Sequence, residues 1–307
     1  MPPATAVERA RRGLQLLAEG RYAQGWPLYE ARFEVGRDGM AKPSLPYPEW
    51  RGEEVAGKEF LIWPEQGLGD QIQFARFAPI LATRGARVTL ICLPPLHRLL
   101  SQFDDIEVLA AAGGVTFRDP DYWTMSGSLP RWMGVTVETI PRATYLNARP
   151  APNLAPSAGP RIGVVTHGSP AHANDANRSL DLVSAQRLLD LAPGAISLDP
   201  SQTGAKDFAD TASIVAGLDL VISVDTSVAH LAGAMGKPCW VMLPAVNTDW
   251  RWLKGRTDSP WYPSLRLFRQ TRARDWSGVI DAIGVELAKL QPISSGALSV
   301  RNISSSQ

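Results

Sequence analysis

Apolar positions in this chain alternate between two rhythms. Short runs rich in β-branched residues read as buried strands, and stretches with apolar residues every three or four positions read as amphipathic helices. Glu59 to Trp63 is the first such strand, and a helix bearing Ile72, Phe74, Phe77 and Leu81 follows it. Arg87 to Leu93 predicts a strand, Pro95 to Phe103 a helix, Ile106 to Leu109 a strand and Asp121 to Met125 one more. The alternation resumes with strand Arg161 to Thr166, helix Ser184 to Leu191, strand Ala195 to Leu198 and a helix ending at Ala216. The apolar run that ends at Val224 is a strand, the positions from Val228 to Met235 are helical, and Pro238 to Leu243 and Leu265 to Phe268 are strands. Trp276 to Leu290 is a last amphipathic helix. Strands interleaved with helices predict the α/β class, with parallel sheets covered by helices.

Polar and proline-rich stretches divide this pattern. Residues 1–40 are predicted to be a helical extension, in which Val7, Ala10, Leu14 and Leu17 share one face and Gly20 interrupts before Tyr22 to Phe33. Residues 41–150 form a first α/β domain and 151–290 a second, joined by a linker over 147–160 that contains Pro150, Pro152, Pro156 and Pro160. The Ser-rich residues 291–307 predict a disordered tail.

Three turns carry candidate chemistry. The stretch Val224-Asp225-Thr226-Ser227-Val228-Ala229-His230 runs from a strand through a short polar turn into a helix. Unpaired amides and the positive dipole end at a helix start suit a phosphate, and small hydroxyl residues add donors. A plain capped helix explains the same residues equally well. The turn Gln66-Gly67-Leu68-Gly69-Asp70 opens another helix, but Ile72 stands where the dinucleotide fingerprint needs its third glycine. Asp70 is either a helix-start carboxylate or a general base beside a ligand. The polar loop from His167 to Ser179 includes Arg178, which is either a phosphate clamp or a partner in a loop salt bridge. His167 and His172 lack a spaced set of partner ligands, so a metal site is not expected.

Composition narrows the picture. The 307 residues carry a formal charge of +1, which gives no sign of a nucleic-acid-binding surface. The two cysteines, Cys92 and Cys239, lie in apolar runs and read as buried thiols. No apolar run reaches the length of a membrane span, and the N-terminus lacks a secretory apolar region. A cytoplasmic protein is expected.

The pieces WPEQGLGDQIQFARF, NDANRSL, DFADTASIVAGLDLVISVDTSVAHLAGAMGKPCWVML, DWRWL and SPWYPSLRLFRQ occur in that order and cover most of residues 45–285. In these pieces the chain resembles GT-B-fold glycosyltransferases related to bacterial heptosyltransferases. It is more closely similar to the branch with tetratricopeptide repeats ahead of the transferase, and LLAEGRYAQGWPLYEARF resembles one such helix pair. The resemblance implies two Rossmann-like domains facing across a cleft, the second holding a nucleotide-sugar donor. It implies an inverting transfer to a protein or glycan acceptor, with no metal and no cofactor. It places the general base at Asp70 and the donor phosphates against Arg178, Asp225, Thr226, Ser227 and His230. Gln66, Gly67, Gly69, His167, Gly168, Asn177, Asp249 and Trp250 are expected to line the cleft. The helical extension offers a surface for a protein contact. Two departures bear on the nucleotide: Thr166-His167-Gly168 stands where Trp-Ala-Gly is expected, and Asp199 where Gln is expected nearby. A non-catalytic module, or a nucleotide-sugar epimerase or hydrolase, are the competing readings.

Overall fold

The structure is a computed structural model, and it describes residues 4–35, 41–152 and 159–290. The predicted tail 291–307, most of the predicted linker's centre (153–158) and residues 1–3 and 36–40 of the predicted extension lie outside the described residues.

Two parallel sheets organise the chain. The first has the order β3-β2-β1-β4, from β1 (Glu59–Trp63), β2 (Arg87–Cys92), β3 (Ile106–Ala110) and β4 (Tyr122–Met125). The second has the order β6-β5-β7-β8-β9, from β5 (Ile162–Val165), β6 (Ile196–Ser197), β7 (Leu220–Val224), β8 (Cys239–Leu243) and β9 (Leu265–Arg269). All strands pair parallel, and central strands such as β7 are buried along their whole length, as expected for sheets covered on both faces. This is a GT-B-like architecture with N-terminal helices. In each sheet the strand order reverses beside the first strand, so the loops after β1, β5 and β7 emerge at switch points where open α/β sheets hold ligands.

Helix ends follow local chemistry. Asp181 caps helix Leu182–Leu191 through Ser184 N–H at 2.9 Å, and Asp207 caps helix Phe208–Ala216 through Ala209 N–H at 2.9 Å. The helix expected over Pro95 to Phe103 is shorter: a 3-10 turn at Pro94–Leu96 leads into a single α-helical turn at His97–Leu100. Pro94 and Pro95 have no amide hydrogen to give, and Ser101 Oγ donates back to His97 O at 2.7 Å, closing the turn.

The N-terminal helices Ala6–Ala18 and Tyr22–Tyr29 pack tightly on each other. A methyl group on Gly13 would stand 2.7 Å from Tyr29 N, so only glycine permits this approach. The pair is docked on both lobes. Trp26 Nε1 donates to Val135 O at 2.8 Å on one side, and Trp261 Nε1 donates to Tyr22 Oη at 2.8 Å on the other. Tyr22, Trp26, Tyr29, Trp250 and Trp261 form one edge-to-face cluster, so these aromatic rings act as packing anchors. Beneath them the buried Arg32 forks onto Glu65, with both bonds at 2.9 Å, and Glu65 accepts from Gly127 N–H at 2.6 Å. A continuous buried cluster runs from Phe60 and Ile62 of the first lobe to Val221 and Leu231 of the second. Cys92 and Cys239 are buried and unpaired, and burial pushes the Cys92 thiol up to about 12. Among the described residues, no helix is long and apolar enough to cross a membrane.

Candidate functional site

Helix Leu68–Ala75 follows β1, and helix Ser227–Ala234 follows β7. Their N-termini meet between the lobes, because Gly69 lets the first helix pass over the second without a side chain in the way. A cavity of about 470 Å³ opens at this meeting point. Its walls include Gly67, Gly69 and Asp70 from the first lobe, and Arg178, Asp225, Thr226, Ser227, His230 and Asp249 from the second.

The helix starting at Ser227 lacks the side-chain cap that Asp181 and Asp207 give the helices Leu182–Leu191 and Phe208–Ala216. Thr226 occupies the N-cap position but makes no side-chain cap bond, and its hydroxyl meets Ser223 Oγ at 3.1 Å instead. Ala229 N–H donates to the Thr226 carbonyl at 3.1 Å, and the amides of Ser227 and Val228 remain available to an anion. Arg178 stands beside them: Nη1 donates to the Asp225 carbonyl at 2.8 Å, and Nε donates to Asp175 Oδ1 at 3.2 Å. Gly168 makes this possible, since a methyl there would lie 2.5 Å from Arg178 Nη2. The loop salt bridge and the place at the anion seat thus belong to one side chain.

His230 is buried, with Nδ1 and the Tyr262 hydroxyl 3.0 Å apart and its ring stacked on Trp252 at 5.2 Å between centroids. Burial, aided by the nearby Arg251 cation, depresses its imidazole to about 3. It is neutral at ordinary pH and serves as a dipolar donor or acceptor, with no positive charge of its own. Burial also pushes the Asp225 carboxyl up to about 7, and the neighbouring Asp249 carboxylate adds to the effect.

Asp70 uses both oxygens. Oδ2 accepts from Gly67 N–H at 2.9 Å, which is the helix-start role, and Oδ1 accepts from Arg251 Nη2. Its pKa is raised by burial, against the pull of Arg251. Arg251 was not singled out in the sequence. The only trace of it there is a charged residue between two tryptophans in DWRWL, which local pattern alone does not distinguish from a surface arginine.

A second cavity, of about 280 Å³, adjoins the first and shares Leu68, Ser169, Thr226 and Ser227 with it. His167, Gly168, Asp199 and Thr211 line it. His167 Nε2 and Asp199 Oδ2 are 3.2 Å apart, so the two departures noted in the sequence are neighbours in space. A third cavity, of about 540 Å³, lies between the first helix and the loop after β8. It shares Asn247, Asp249 and Arg251 with the Asp70 cavity. Gln66 and Trp250 line this third space, with Gln66 Nε2 donating to Tyr29 Oη at 2.6 Å and Trp250 only 4% exposed. Asn177 lies apart from the Asp70 cavity and donates to Asn174 Oδ1 at 2.8 Å.

No family model matches the chain. Among curated proteins it is similar to Protein FlbA of Caulobacter vibrioides, 26% identical over 336 residues, an alignment that takes in 93% of this chain and 56% of FlbA. The chain thus spans little more than half the length of that relative. Among solved structures it is similar to an E. coli ADP-heptose LPS heptosyltransferase II, with a TM-score of 0.50, 11% identity and coverage of 75% of this chain and 99% of that one. A glycosyl transferase family 9 protein from Veillonella parvula gives a TM-score of 0.50 and 10% identity over 78% of this chain and 97% of that one. At these identities the structural likeness is one of fold.

Proposed function

We propose that the protein is an inverting, metal-independent glycosyltransferase that moves a sugar from a nucleotide-sugar donor to a protein or glycan hydroxyl. One observation carries the reading: a carboxylate on one lobe and an uncapped helix N-terminus on the other face the same cavity. In this scheme the donor diphosphate rests on the amides after Thr226, with Arg178 and the Ser227 hydroxyl beside it. The nucleoside extends into the cavity lined by His167 and Asp199. The acceptor enters through the space beside the first helix, whose lining joins that of the Asp70 cavity at Asp249 and Arg251. Asp70 takes the proton of the attacking hydroxyl as its oxygen bonds to the anomeric carbon. The bond from that carbon to the diphosphate breaks on the opposite face, and the departing charge is met by the helix amides and Arg178. A neutral His230 contributes a hydrogen bond there, not a charge.

The N-terminal helix pair, read as a tetratricopeptide-like unit, is proposed to steer a protein partner to this entrance. The two unpaired cysteines suit a reducing, cytoplasmic setting. The test is incubation with a panel of nucleotide sugars, with and without glycan and protein hydroxyl acceptors, following nucleotide release and the anomeric configuration of the product. Transfer with inversion supports the proposal. Epimerisation or hydrolysis without transfer supports the hydrolase or epimerase reading, and silence across the panel supports a non-catalytic module.

A further inference from the structure

Arg251 sits at the seam between the lobes, 3% exposed, and each guanidinium nitrogen has a partner. Nε donates to Gln73 Oε1 at 2.6 Å, and Nη1 donates to the two oxygens of Asp249 at 3.1 and 3.0 Å. Nη2 donates to Asp70 Oδ1. The guanidinium carbon stands 4.4 Å from the centroid of the Trp250 ring, which fixes its plane. Gln73 and Asp70 belong to the helix after β1, while Asp249 belongs to the loop after β8. The arginine therefore bolts the Asp70 carboxylate to the opposite lobe.

Two bonds leave Asp70 free to work. Each carboxylate oxygen has two acceptor positions, and one on each is taken, by Gly67 N–H and by Arg251. Asp70 lines the cavity, and its side chain is 22% exposed. The charges around Asp70 compete. Asp249 and Glu65 are like charges, and burial also disfavours its anion. Glu65 is already matched by Arg32. Arg178 and His172 stand on the facing loop, and His230 lies beneath. Arg251 is the cation in direct contact.

We infer that Arg251 is the positioning residue of this site: from across the lobe seam it aims the Asp70 carboxylate into the cavity and holds it as the anion that accepts a hydroxyl proton. The inference rests on the proposed transfer for its purpose, and its geometry is tested independently of turnover. When the acceptor oxygen bonds to the sugar, its proton moves to Asp70, and the adjacent guanidinium then favours return of that proton to solvent.

The experiment follows the Asp70 carboxyl carbon by NMR in ¹³C-aspartate-labelled protein, with the signal assigned by its loss in Asp70→Asn. The inference expects Arg251→Gln to raise the Asp70 midpoint by at least about one pH unit, a tenfold change in proton affinity. Asp249→Asn removes a like charge and keeps the arginine, so it moves the midpoint down. Arg251→Lys keeps the charge without the planar fork, so it keeps the midpoint near the wild-type value. In the transfer assay at saturating donor, the acid limb of the pH profile moves with each midpoint, and Arg251→Lys loses rate evenly across pH. An Asp70 midpoint that stays put in Asp249→Asn and in Arg251→Gln overturns the inference. If Arg251→Gln fails to fold, the Asp249→Asn and Arg251→Lys pair decides it. Failure of the transferase reading shows separately, as absence of nucleotide binding by the wild-type protein.

Discussion

A methyl group placed on Gly69 would stand 2.8 Å from His230 Cδ2 and 3.3 Å from the Ser227 Cα. The two helices that carry the candidate base and the candidate phosphate seat therefore cross at a point where one lacks any side chain. His230 cannot yield, because Trp252 stacks on it and Tyr262 holds its Nδ1. Gly69→Ala is expected to destabilise the protein by about 1–3 kcal/mol, the usual range for overpacking. It should also weaken nucleotide binding, because Ser227 is displaced. Thermal melting and calorimetry on the variant check both effects.

Asp225 gives a pH dependence with a definite sign. Its carboxyl is pushed up to about 7 in the folded protein, against 3.8 for an ordinary aspartate. The folded state holds a proton there that the unfolded chain releases. This contribution to stability is complete below pH 3.8 and is lost as pH rises through 7. A bound diphosphate adds negative charge nearby and raises the carboxyl further, so binding takes up a proton. Affinity for a nucleotide sugar should fall by up to about tenfold per pH unit above neutrality. Asp225→Asn should flatten that slope and should raise the melting temperature more at pH 8 than at pH 5. Calorimetric titrations across pH 5–9 measure the slope.

His167 and Asp199 predict selectivity without stability. Their side chains are 57% and 26% exposed, so the pair contributes under about 1 kcal/mol to folding. Both line the cavity assigned to the nucleoside. His167→Ala and Asp199→Asn are expected to leave the melting temperature nearly unchanged and to alter the ranking of nucleoside diphosphates. In a double-mutant cycle on nucleotide affinity, the two substitutions should be non-additive by at least about 0.5 kcal/mol. Additive effects would mean that the nucleoside does not meet the pair.

The Arg32–Glu65 fork makes the N-terminal helices part of the molecule's core. Arg32→Met leaves Glu65 buried and without its counter-ion, and it should lose about 3–5 kcal/mol. Replacing both, in Arg32→Met with Glu65→Met, should recover much of that loss, although Gly127 N–H then goes unpaired. Denaturant unfolding of the single and double variants decides between these outcomes.

The alternation of strands and helices was legible because local rhythm writes it. Glu59–Trp63 is a strand with the bounds its apolar run predicts, and β7 and the helix after it fall where the switch from a continuous apolar run to helical spacing puts them. The short turn at His97–Leu100 was not legible in extent, because apolar spacing does not separate the 3-10 turn that Pro94 and Pro95 begin from the α-helical turn after it, nor mark the stop at Leu100. The Asp70 turn and the Thr226 turn stood out as glycine-rich or hydroxyl-rich helix starts. Arg251 did not, because its role depends on Asp70, 181 residues away in the chain. The contact of His167 with Asp199 was hidden for the same reason: both changes were expected near the nucleotide, but only the pairing of β5 with β6 puts the two side chains together. Trp250 and Gln66 were expected to line the cleft; they line the cavity that joins the Asp70 cavity at Asp249 and Arg251, and Trp250 also belongs to the ring cluster, which its place beside an aspartate does not signal.

Calorimetry with uridine, guanosine, cytidine, adenosine and thymidine diphosphates, on the wild-type protein and on Arg178→Ala and Asp70→Asn, tests the central claim most directly. The account predicts that at least one diphosphate binds with a stoichiometry of one. Arg178→Ala should weaken that binding at least about tenfold, from the loss of charge-assisted bonds worth roughly 1.5–3 kcal/mol. Asp70→Asn should bind the same nucleotide within about threefold of wild type, since a carboxylate that acts on the acceptor does not hold the diphosphate. Absence of binding across the panel, or an affinity unchanged in Arg178→Ala, would contradict the account.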